Sequence, residues 1–139
     1  MIVQAIVNLL KADTDVAAIV GAHVYARLMP DAPTFPNIVV TKVSGQGSYD
    51  LQGDIGLEAS RVQVDVYDIS GYAACVALKT AVRRRLSGYR GPAPGDGGGC
   101  SLQSVLVIND LDIAEPSSER AGPRLWRRMI EFEIWSREI

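Results

Sequence analysis

The segment Ser60–Gly88, SRVQVDVYDISGYAACVALKTAVRRRLSG, runs a strand, a short corner and a helix directly into one another. Val62, Val64 and Val66 fall on one side of a pleat, while Arg61, Gln63, Asp65 and Tyr67 fall on the other. The period then becomes helical, with Cys75, Leu78, Val82 and Leu86 spaced 3, 4 and 4 apart. A one-sided strand followed by a one-striped helix must pack face to face. That arrangement predicts a strand–helix core with no position in it for catalytic machinery.

The flanking sequence extends this core. Ile2–Leu10 carries a broad apolar helical face. Asp13 and Thr14 are capping residues for a second short helix ending near Val20, with Gly21 as its stop. His23–Leu28 reads as a short extended piece, and Pro30, Pro33 and Pro36 punctuate a loop. Asn37–Val43 is rich in β-branched residues and predicts a strand. Ser44–Ala59 contains Gly45, Gly47, Gly53 and Gly56; it reads as a long mobile loop or as a hairpin with a flexible tip. Tyr89–Gly99 reads as a second flexible segment. Ser101–Asn109 predicts a strand, Leu111–Gly122 a polar connection, and Arg124–Trp135 the last strand, with Ile130, Phe132 and Ile134 facing one way. The expected fold is a single α+β domain over residues 1–139: an antiparallel sheet of about four strands, a long helix packed on one face and a short helical N-terminus.

A chain of 139 residues supports one packed core. A formal net charge of -2 excludes a whole-chain basic footprint for nucleic acid, leaving only a local one open. Of 14 cationic residues, only Lys11, Lys42 and Lys79 are lysine. That bias fits either a contact-rich surface or a compositional skew of the coding sequence. Cys75 and Cys100 read as free thiols in a reducing compartment. No basic leader precedes an apolar run at the N-terminus, and no run approaches the ~20 apolar residues of a membrane span. Synthesis in the cytoplasm, with no membrane partner, is the expectation.

Candidates for chemistry are sparse. His23 is the one imidazole, and its neighbours Ala22 and Val24 offer it no catalytic partner. No close-spaced ligand pair suggests a metal. Gly95–Gly99 is glycine-rich but leads into a strand, so it is no phosphate loop. Asp50, Asp54 and Glu58 recur at a spacing of four; they fit a hard-cation or acid–base site on paper, but read better as solvated loop charges. The strongest charge cluster is Arg83-Arg84-Arg85 with Arg90. It reads either as a helix end complementing the dipole or as a contact for phosphate or a subunit. Arg124, Arg127 and Arg128 beside Trp126 form a second patch. No catalytic, cofactor or metal residue is nominated. Arg83, Arg84, Arg85, Arg90, Asp50 and Asp54 stand as candidates for subunit or DNA contact.

Three stretches together carry a resemblance to a known family: DTDVAAIVGAHVYARLMPDAPTFPNIVVTKVSG, the strand and helix RVQVDVYDISGYAACVALKTAVRRRLSG, and the terminal RRMIEFEIWSRE. Their Val-Gly-x-x-Val-Tyr approach, Ala-Pro-x-x-Pro lead-in and Arg-Val-Gln-Val-Asp-Val-Tyr strand resemble the tail completion, or tail terminator, proteins of long-tailed phages and gene transfer particles. The resemblance spans nearly the whole chain and rests on packing motifs. It implies a non-enzymatic virion subunit of a ring, usually hexameric, at the head–tail junction. It further implies the tail tube protein and the head connector as partners, with DNA passing through the lumen without sequence-specific contacts. Alternatives are a head completion or connector protein, a small nucleic-acid-binding domain using the two arginine patches, and, third, an enzyme.

Overall fold

A computed structural model describes residues 2–92, 100–114 and 125–138. Helix α1 (Ile2–Ala12) turns directly into α2 (Thr14–Val20). Asp13 makes that turn: its carboxylate accepts from Val16 N at 3.0 Å, satisfying one of the open amides of α2. Gly21, at φ 62°, ends α2 as expected. The strands are β1 (Val24–Ala26), β2 (Asn37–Asp50), β3 (Gly53–Asp68), β4 (Gly91–Pro92), β5 (Cys100–Ala114) and β6 (Trp126–Glu138), with α3 (Tyr72–Leu86) between β3 and β4.

All six strands form one sheet in the order β1-β2-β3-β6-β5-β4. One face is covered by the three helices. Val62, Val64 and Val66 of β3 are fully buried there, with Ile130, Phe132 and Ile134 of β6 and with Cys75, Leu78, Val82 and Leu86 of α3. Ile6, Leu9 and Leu10 of α1 complete the core. Burial of these groups is the main favourable term for the domain.

The α+β expectation of about four antiparallel strands under a long helix is overturned. Among the described residues the sheet is mixed and has six strands, and just over half of those residues are strand. β1 runs parallel to β2, pairing Val24–Ala26 with Ile38–Val40. α3 has 15 residues against 16 in β3, so it is no longer than the strands beneath it, and it shares its face with α1 and α2. The physical reason is pairing beyond the sequence's own strand signals. Ser44–Ala59 is not a loop; it is the outer half of the β2–β3 hairpin, paired through to Asp50 and Gly53. Leu111–Ala114 belongs to β5 rather than to a connection, because it pairs with Trp126–Met129 of β6. Within Tyr89–Gly99, Gly91 and Pro92 form β4; residues 93–99 and most of the 111–122 connection lie outside the described residues.

Phe132 is fully buried at the centre of the sheet–helix layer. Phe132→Ala is expected to cost about 3–5 kcal/mol through lost burial and a residual cavity. Urea unfolding of the two proteins measures the difference, and a loss below about 1 kcal/mol would contradict this placement of the core.

Candidate functional site

The residues singled out in the sequence fall into three places. Arg83 leaves α3 to meet Asp110 on β5, with Nη1 donating to Oδ2 at 3.3 Å. Arg85 lies over the Tyr89 ring, 5.3 Å from its centroid. Arg84 and Arg90 are exposed. The triplet is therefore split: two of its members are engaged within the chain, as the 100° helical step requires. Arg124 lies outside the described residues.

The second arginine patch is engaged as well. Arg127 donates from Nε to Asp65 Oδ1 at 3.1 Å, and Gln63 Nε2 donates to Asp65 Oδ2 at 2.8 Å. The Arg127 guanidinium also lies 5.5 Å from the Tyr67 ring centroid. Asp65 is thus a buried charge with a matched partner on the face of the sheet that no helix covers. The sequence placed Asp65 on the polar face but gave no sign that Arg127 would sit beside it.

On the opposite face Arg128 and Asp110 organise a network linking α3, β5 and β6. Asp110 Oδ2 accepts from Lys79 Nζ at 2.9 Å, and Oδ1 lies 3.6 Å from Arg128 Nη2. Arg128 also pairs with Asp112 and donates to Tyr72 Oη at 2.9 Å, and that hydroxyl donates to Asp112 Oδ2 at 3.2 Å. Tyr72 stacks edge-on against Trp126. Burial pushes the Asp110 carboxyl up, but Lys79's hydrogen bond and the charges of Lys79, Arg128 and Arg83 outweigh it, holding the pKa below the ordinary value. This network pins the outer end of β5, and none of Asp110, Asp112 or Lys79 was nominated from sequence.

Asp50 and Asp54 sit at the far end of the β2–β3 hairpin. Each turns its carboxylate back on its own backbone: Asp50 Oδ1 accepts from Gln52 N at 2.8 Å and Asp54 Oδ1 from Gly56 N at 2.7 Å. Glu58, the third acid, is not with them; it bonds Lys42 Nζ at 2.5 Å and Ser60 Oγ at 2.9 Å. The Lys42 hydrogen bond is the main cause of its lowered pKa. Between this bridge, Ile2, Val3 and the hairpin lies an open cleft of about 580 Å³.

His23 Nδ1 lies 3.0 Å from the Tyr25 hydroxyl. Both cysteines are free and buried, and burial pushes the Cys75 thiol up to about 11, so it is a poor nucleophile at neutral pH. Among the described residues no group of three His, Cys, Asp or Glu side chains is placed to hold a metal ion. No helix among the described residues is long and apolar enough to cross a membrane.

What remains conspicuous is surface built for contact rather than for chemistry. From Val43 to Gly56 the hairpin is an arm exposed at every residue but Ser48, with Val43, Tyr49, Leu51 and Ile55 among the exposed residues. The model of the tail completion protein gp17 family matches residues 4–137. The chain belongs to that family. It is accordingly a structural component of a virion tail. No curated protein sequence matches the chain. A solved structure titled "Virion of native gene transfer agent (GTA) particle" contains a chain of the same fold, with a TM-score of 0.62 and 20% identity, covering 97% of this chain and 92% of that one.

The sign of Asp110's contribution to stability follows from its pKa. A carboxyl whose pKa is depressed by folding stabilises the fold above its unfolded value, near 3.9 for Asp, and loses that contribution as the pH falls through the folded value. Asp110→Asn is expected to lower the melting temperature at neutral pH. The gap to the parent protein should narrow below about pH 4. Thermal melts across that range check it; a gap independent of pH would show that the Asp110 charge contributes nothing.

Proposed function

We propose that the chain is a tail terminator. In this reading identical subunits close into a ring, of six copies in the usual arrangement of such proteins, that caps the head-proximal end of the tail tube. The ring stops tube growth and presents a surface to the head connector. DNA passes through its lumen without base-specific contacts.

The observation that carries this reading is the arm formed by the outer halves of β2 and β3. It is strand-paired to its tip at Asp50–Gly53, yet every residue from Val43 to Gly56 except Ser48 is exposed. β6 pairs with β3 only as far as Leu57, so the tip beyond it is a bare two-stranded ribbon; such a ribbon is marginal in water, and the apolar Tyr49, Leu51 and Ile55 gathered on it mark a contact surface. Ring closure requires heterologous contacts, in which two different surfaces of the subunit meet. The arginine patches favour this structural reading over a nucleic-acid-binding module. Arg83, Arg127 and Arg128 are already paired with Asp110, Asp65 and Asp112, so they are not a free array for phosphates.

Replacing Gly47–Glu58 with an Asn-Gly turn would close the hairpin at the Gln46–Ala59 pair. The shortened protein is expected to fold, with the parent's circular dichroism, but to leave tail tubes uncapped and unjoined to heads. Electron microscopy of purified protein mixed with tail tubes reads this directly. Normal capping and joining by the shortened protein would overturn the role of the arm, and tubes left bare by the parent protein would overturn the terminator reading.

A further inference from the structure

The two ends of the sheet are complementary to each other. At one end, β1 covers β2 only at Ile38–Val40, so the edge of β2 from Thr41 to Asp50 has no strand beside it among the described residues. At the other end, β4 covers β5 only at Ser101 and Leu102, and Gly88 N donates to Val105 O at 2.9 Å. Beyond Val105 no strand flanks the outer edge of β5 among the described residues. Open edges of this kind invite pairing with another chain.

Two features match one edge to the other. The first is direction: β2, β3, β6 and β5 alternate antiparallel, so β2 and β5 run opposite ways. A second copy set beside the first in the same orientation therefore brings β2 antiparallel to β5. The second is height along the strands. Ser44 pairs with Arg61, Arg61 with Glu133, and Glu133 with Leu106. Val43, 50% exposed, thus falls between the levels of Leu106 and Val107, with Ile108 about one residue pair away; Leu106 and Ile108 are 52% and 39% exposed. Gly47 is level with Gly91 through Glu58, Ser136 and Leu102, so the outer part of β2 stands at the height of β4, and the stretches open on both edges at one height are Thr41–Ser44 and Leu106–Asn109.

We propose that the open edge of β2 in one subunit docks against the open edge of β5 in the next copy of the same chain, Thr41–Ser44 against Leu106–Asn109, with Val43 packing on Leu106 and Ile108. Backbone hydrogen bonds across the junction supply affinity, and the side chains set the register. The contact is heterologous, so repeating it generates a closed ring or an open filament according to the angle between copies. The proposal rests on the ring reading above and assigns the surfaces by which the ring is built.

The test uses the full chain assembled on tail tubes, and the buried Cys75 and Cys100 leave little background for cross-linking. A chain carrying both Val43→Cys and Ile108→Cys is expected to give, on mild oxidation, a ladder of cross-linked multimers; either substitution alone gives none of the higher steps. Assembled rings that yield no ladder would overturn this assignment while leaving the ring intact. Parent protein that stays monomeric alone and on tail tubes would overturn the assignment together with the ring.

Discussion

β3 is the strand on which the rest of the domain depends. It is hydrogen-bonded on both sides, to β2 and to β6, over most of its length. Its three valines at 62, 64 and 66 are fully buried beneath the helices. Because side chains alternate with a period of two, a slip of one residue would exchange those valines for Arg61, Gln63 and Asp65. The cost of burying three polar side chains in place of three valines fixes the register of β3. Through β3 it fixes the heights of β2, β6 and β5, and hence where each open edge presents its side chains.

The same register explains how a helix-free sheet face carries so much charge. Asp65 is buried on that face, and Arg127 reaches it from β6, where Tyr67 and Arg127 are directly paired. A buried carboxylate without a cation would be strongly destabilising, and an isolated guanidinium in the same place equally so. On the helical face Arg128 repeats the solution one residue along, with Asp112 opposite it across the β5–β6 ladder. Alternate residues of β6 thus anchor opposite faces. Cations that look free in sequence are paired with acids of neighbouring strands; in the first cluster Arg83, although exposed, is tied to Asp110, beside the exposed Arg84 and Arg90.

The parts of the fold legible in sequence are those whose local pattern and tertiary environment agree. The valines of β3, the Cys75–Leu78–Val82–Leu86 stripe and the Asp13 cap are read correctly because burial and capping act on a few adjacent residues. The arm is only half legible, a hairpin being one of two readings its sequence allows, for the opposite reason. Gly45–Gly56 lacks β-branched residues apart from Ile55, and its strand character comes from its tip: Asp50 caps the turn and Gly53 takes φ 120°, a value only glycine holds without strain. β1, at three residues, and β4, at two, are too short to show a period at all. Asp110 and Asp112 look like loop acids until β5 is known to continue past Asn109. Family resemblance located the chain among tail completion proteins, but it did not mark which side chains make contacts, because the shared motifs are packing motifs.

An assembly protein has to remain a soluble single subunit before its partners appear, while carrying edges competent to pair. The two open edges meet that demand in different ways. β2 has irregularities between Lys42 and Ser44 and between Gly47 and Tyr49, and bulges of that kind discourage indiscriminate edge pairing. β5 is interrupted in the same manner, at Leu102–Ser104 and Val107–Asn109, and is capped at its upper end by Gly88 and β4. Such edges resist a flat, unlimited ladder yet accept a partner whose irregularities fall close to their own. Val43 and Ile108, each the extra residue in its strand, sit about one residue pair apart along the sheet, on either side of the Lys42–Val107 level. In the proposed docking a copy of the same chain brings those two bulges near each other, so the features that suppress aggregation also contribute to self-recognition.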